Sequence, residues 1–183
     1  MSYAPERFYH VYNQGNNRQK IFEPDTDDYV FFLSQVRTFF LPHVDILAYC
    51  LMPNHFHFLI KTDHRCLSMR MSGKLQISEV SFGLKMLLST YTRIVNKRRG
   101  STGSLFRQGT HSRCLVYEPG TILMGKEKQD DLTNVFHYIH DNPVVANLVG
   151  SPEAWEYSSY RDYAGLRNGT LVNKQLSTAL GLV

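Results

Sequence analysis

Residues 44–61 read VDILAYCLMPNHFHFLIK, two apolar, β-favouring runs on either side of Met52, Pro53 and Asn54. Val44–Leu51 and His55–Lys61 therefore predict an antiparallel hairpin, and runs this apolar are expected at the centre of a sheet. Within the second run, the two-residue period of a strand sets His55 and His57 on one face and Phe56, Phe58 and Ile60 on the other. A single strand thus offers core material on one side and two imidazoles on the other.

Outward from the hairpin, the chain alternates strand and helix signals. Upstream, Phe8–Asn13 (FYHVYN) is rich in aromatic and β-branched residues and runs into Gln14, Gly15, Asn16 and Asn17, a strand ending in a turn. Pro24 and Asp25 offer a helix start, after which Tyr29, Phe32, Leu33, Val36, Phe39 and Phe40 recur at helical spacing up to Pro42. Downstream, Val80, Leu84, Leu87, Leu88, Tyr91 and Ile94 form the stripe of a helix over roughly 79–97, which Arg98, Arg99 and Gly100 close. Cys114–Tyr117 is a candidate strand. Leu132, Val135, Phe136 and Ile139 mark a helix over roughly 131–142, with Pro143 as its expected stop. Gly100–Ser104 and Glu118–Asp131 read as loops. Strand, helix, strand, strand, helix, strand is the split βαβ plan, so the expected fold class is α+β, a ferredoxin-like antiparallel sheet with helices packed on one face, in one domain over residues 1–183.

Composition limits the functional classes. The 183 residues are enough to bury a core without disulfides or a structural metal. Cys50, Cys66 and Cys114 are odd in number and lack CxxC spacing, which fits a reducing cytoplasm better than a secreted framework. No apolar run is long enough to span a membrane, and no export signal is evident at the start. The net charge of +4 hides an asymmetry: residues 61–113 hold eleven Lys and Arg against Asp63 and Glu79. A polarised chain of this kind suits an anionic partner, although solvated helix faces produce similar counts.

Three groups of residues could carry chemistry. His55 and His57 read either as hydrogen-bonded strand histidines or as two ligands of an open divalent-metal site with positions left for phosphate oxygens. Tyr138 and Asn142, four apart on the third helix, project from nearly the same side, so a phenol and a carboxamide could reach one place. A tyrosine can attack a phosphodiester and conserve its energy as a phosphotyrosine, given a neighbouring cation to favour the phenolate over a phenol of pKa about 10. It can equally sit at a core boundary as an ordinary amphipathic residue. Lys97, Arg98 and Arg99 suit the negative end of a helix dipole as well as DNA. Arg107 and Arg113 follow Leu105 and Phe106 in a loop, an arrangement of cations and a ring fitted to phosphates and unstacked bases, with Phe106 itself read as a core anchor. His137 and His140 read as surface or packing residues, and His10, His43, His64 and His111 as scattered.

The chain resembles the REP-associated tyrosine transposases, relatives of the single-tyrosine insertion-sequence transposases of the HUH endonuclease type. The likeness rests on YHVYNQGNNRQKIF (residues 9–22), AYCLMPNHFHFLI (48–60), TGSLF (102–106), YIHDNPVVANLV (138–149) and WEYSSYRDYAG (155–165), in that order. It implies a ferredoxin-like catalytic domain, Mg²⁺ or Mn²⁺ at His55 and His57, Asn142 as third ligand and Tyr138 as nucleophile. It also implies single-stranded DNA hairpins as substrate and a tendency to form homodimers. The segment Arg107–Arg113, with Gly109, Thr110 and His111, is less basic and aromatic than is common in that family. Two rival readings remain: a hairpin-binding module without chemistry, and a metal-dependent hydrolase that uses water.

Overall fold

The computed structural model describes residues 3–23, 26–117 and 131–183. Its centre is a four-stranded antiparallel sheet of β1 (Arg7–Gln14), β2 (Asp45–Met52), β3 (His55–Thr62) and β6 (His111–Leu115), in the order β2-β3-β1-β6. Around it lie α1 (Asp28–Phe39), the separate hairpin β4 (Met69–Ser72) and β5 (Leu75–Ser78), α2 (Glu79–Arg99), α3 (Leu132–Val145), and the short α4 (Tyr160–Tyr163) and α5 (Lys174–Ala179). The strand order is that of the split βαβ plan.

The hairpin does not occupy the sheet centre as a pair. β3 is central beside β1, and β2 lies at the edge. An edge strand this apolar is possible because the C-terminal segment covers it: Leu51 N–H donates to the Tyr157 carbonyl at 2.9 Å and Ser159 N–H to the Tyr49 carbonyl at 3.0 Å. The Trp155 indole N–H adds a bond to the Leu51 carbonyl.

Nor do the helices share one face. α1 and α2 cover the side bearing Val11, Phe56, Phe58 and Ile60, and α3 packs on the other with Phe8, Leu59 and Leu115. Alternation explains both layers. Each central strand also places apolar residues on its second face, and the Leu132, Val135, Phe136 and Ile139 stripe of α3 buries them. α2 approaches the end of α1 closely at Gly83, where a Cβ would lie 2.1 Å from the Phe39 carbonyl oxygen.

Helix limits follow local chemistry. The Ser78 hydroxyl accepts from Ser81 N–H at the start of α2, and Gly100, at φ 60°, closes it. Pro143 does not stop α3, which continues to Val145. In the last turn a proline removes a single helical donor, and Ala146 N–H still reaches the Asn142 carbonyl at 2.9 Å. The fourth strand is His111–Leu115 rather than Cys114–Tyr117, and the β4–β5 hairpin has no counterpart in the sequence reading. The helix start at Pro24 and Asp25, and the loop from Glu118 up to Asp131, lie outside the described residues. Among the described residues no helix is long and apolar enough to cross a membrane.

Candidate active site

The α3 face of the sheet changes character along its length. Toward one end it is apolar; toward the other, β1 contributes His10, Tyr12 and Gln14, β3 contributes His55 and His57, and β6 contributes His111 and Arg113. Pairing opposes Tyr12 to both His57 and His111, and the Tyr12 and His111 rings stack at 4.9 Å. α3 crosses above. Its apolar stripe anchors it, and Asn134, Tyr138 and Asn142, at four-residue spacing, run along the flank.

This arrangement joins the residues expected to act together. The Tyr138 and His57 ring centroids are 5.6 Å apart, and Tyr138 is half exposed. Two adjoining cavities share Tyr12, His57 and Tyr138. One, of about 500 Å³, is also lined by His10, Arg113 and Asn134; the other, of about 230 Å³, by Gln14, His55, Arg107 and His111. The Asn142 side chain lies near that of His55 and donates from Nδ2 to the Tyr138 carbonyl at 3.1 Å.

Burial favours the neutral form of His10, His55 and His57. Burial pushes His57 well below the usual imidazole range, with His10 and His55 adding to the effect. Burial, then the Arg113 guanidinium, lowers His10 to about 4. Burial lowers His55 as well, with the nearby Asn142 side chain opposing the effect. Neutral rings keep lone pairs for binding. His57 Nε2 is buried with no hydrogen-bond partner, as is His10 Nδ1. An unpartnered nitrogen in a cavity wall is costly unless a ligand completes it, so the donor set fits a divalent cation. Among the described residues no three His, Cys, Asp or Glu side chains gather as a metal site. The carboxamide of Asn142, near His55, would be available as a further oxygen donor.

The expected basic residues separate into two groups. Arg107 and Arg113 line the cavities. Arg107 is set there by its N–H bond to the Gln14 carbonyl at 2.8 Å and by Asn13, whose Nδ2 donates to the Arg107 carbonyl and to Thr110 Oγ1. Lys97, Arg98 and Arg99 end α2 in the other layer. Arg98 and Arg99 ion-pair with Asp28, whose side chain is 2% exposed, and Arg99 also donates to the Lys20 carbonyl. Phe106 is a core residue. His140 is buried, hydrogen-bonded to Ser159 Oγ at 2.7 Å and lowered by burial to about 3, while His137 is exposed.

Sequence reasoning missed His10, Tyr12, His111 and Asn134. The four-residue spacing of Asn134 to Tyr138 is the signal that could have found it. The other three depend on strand register, which residue spacing alone does not supply.

Fold and site together define an α+β protein with helices on both faces of its sheet, in which a histidine pair and an exposed tyrosine line an open cleft near the Asn142 carboxamide. A solved structure of similar fold is that described as the REP-associated tyrosine transposase bound to a REP hairpin, with a TM-score of 0.57 and 17% identity over 91% of this chain and 85% of the other. At that identity the likeness is one of fold. No family model and no curated protein matches the chain.

Proposed function

We propose that this protein is a metal-dependent tyrosine transposase that cuts and rejoins single-stranded DNA at hairpins. The observation that carries the reading is the buried, unpartnered Nε2 of His57 in a cavity wall shared with the exposed Tyr138. The fold likeness to a transposase solved with a hairpin supports it.

In this mechanism the Tyr138 hydroxyl attacks the scissile phosphate, forming a 5′-phosphotyrosine and releasing a 3′-hydroxyl that takes up a proton. Attack by another strand's 3′-hydroxyl on the phosphotyrosine restores the phenol and completes transfer. His55, His57 and Asn142 would hold Mg²⁺ or Mn²⁺, which when bound supplies Lewis-acid polarisation of a phosphate oxygen. Arg107 and Arg113 place positive charge where the strand backbone enters, and the stacked Tyr12 and His111 offer a flat surface to bases.

The test is a denaturing gel of end-labelled single-stranded hairpin DNA incubated with protein and Mn²⁺. The expected result is a covalent adduct in the parent chain and in Tyr157→Phe, whose ring packs on Tyr29 at 3.7 Å, and none in Tyr138→Phe. Cleavage without adduct would replace the reading with a water-using hydrolase. Hairpin binding without cleavage would leave only a binding module.

A further inference from the structure

His55 and His57 are gripped in the same way. His55 Nδ1 lies 2.6 Å from Asn54 Oδ1, and His57 Nδ1 lies 2.8 Å from His10 Nε2. A carboxamide oxygen can only accept, and the Asn54 amide is oriented by its Nδ2 donating to the Arg18 carbonyl. The proton of His55 is therefore on Nδ1, and its Nε2 carries the lone pair. His10 stands toward His57 as Asn54 stands toward His55.

We infer that Asn54 and His10 are positioning residues that fix both histidines in the Nδ1–H tautomer, so that both Nε2 lone pairs face the cleft as ligands for one divalent cation. The reading of the ion rests on the proposed function; the reading of the tautomers does not. Free imidazole does not by itself hold the required form, so the grip at Nδ1 decides which nitrogen is available. Two neutral rings joined by one N–H···N bond share a single proton there. With that proton on His57, the proton of His10 is at Nδ1, which is buried, unpartnered and in the wall of the larger cavity. His10 then presents a donor there, suited to a phosphate oxygen. The opposite arrangement would bury a bare N–H at His57 Nε2 near His55, where it would repel a cation.

The experiment is long-range ¹H–¹⁵N spectroscopy of the imidazoles in the metal-free protein, with Mn²⁺ affinity measured in parallel. Both His55 and His57 should show protonated Nδ1 and bare Nε2. His10→Leu, which removes the acceptor, should release His57 to a tautomer mixture and weaken Mn²⁺ binding by roughly 10–100-fold. His10→Gln, whose carbonyl can accept from Nδ1–H, should recover most of both. A protonated Nε2 on His57 in the parent chain would overturn the inference, as would an unchanged spectrum and affinity in His10→Leu. If His10→Leu fails to fold, the parent spectrum and the Gln variant decide. A parent chain that binds no Mn²⁺ but shows the Nδ1–H forms would remove the ion from both readings and leave the tautomer assignment standing.

Discussion

The two faces of the sheet are built from the same strands yet serve different ends. On the α1/α2 face, β3 contributes Phe56, Phe58 and Ile60 to an aromatic core in which Phe32 and Phe40 contact these rings. On the α3 face the intervening residues of the same strand are His55, His57 and Leu59, and only the last joins the apolar packing there. The histidine pair thus gains rigidity from the opposite layer without sharing its chemistry. The backbone that places the imidazoles is held by the phenylalanines behind it.

Phe58→Ala against His57→Ala should separate the faces most widely. Phe58 is fully buried, and its truncation should cost about 3–5 kcal/mol by lost transfer energy and a residual cavity. His57→Ala should cost about 1–2 kcal/mol, from the lost bond to His10, and abolish Mn²⁺ binding. Urea unfolding and metal titration of each variant measure both quantities. Equal stability losses would show that the site face is as much a packing layer as the core face.

Much of this division was legible in the sequence. The period-two alternation of HFHFLIK put the core residues and the two histidines on opposite sides, and the four-residue spacing along α3 brought Tyr138 to Asn142. The second helical layer was not legible, because Phe8, Leu59 and Leu115 lie far apart in the sequence and only strand pairing assembles them into a patch. His10 was missed for the same reason: its partner is 47 residues away. Arg98 and Arg99 stood beside Lys97 as one basic run, yet a buried carboxylate 70 residues upstream claims two of the three.

Acid should distinguish the faces next. In the unfolded chain imidazoles take up protons near pH 6.5, whereas in the folded protein His10 resists to about 4 and His140 to about 3, both on the α3 face. Between those limits the unfolded chain binds more protons. Stability is therefore complete above pH 6.5 and falls as pH drops toward 4, by an amount on the order of a few kcal/mol. Urea midpoints at pH 7, 5.5 and 4.5 record this, and His140→Asn should flatten the slope. A parent chain whose midpoint is level from pH 7 to 4.5 would mean that the α3 face opens to water and does not hold these rings neutral.

The smallest expected effect concerns the basic residues, and it compares cations of the two layers directly. Arg107 is exposed at the mouth of the cavity that holds His55, His57 and Tyr138, whereas Arg98 is tied to Asp28 at the far end of α2. If the hairpin strand enters over the α3 face, Arg107→Ala removes one phosphate contact. Affinity should fall roughly 3–10-fold at moderate salt, and the slope of log affinity against log salt should lessen by about 0.7–0.9. Arg98→Ala should leave that slope unchanged and lower stability by about 1–2 kcal/mol, because Asp28 keeps Arg99 as a counterion. Fluorescence anisotropy of a labelled hairpin across a salt series, with urea unfolding of the same variants, reads both. A salt slope that lessens in Arg98→Ala and not in Arg107→Ala would move the DNA path to the α1/α2 layer and separate it from the tyrosine cleft.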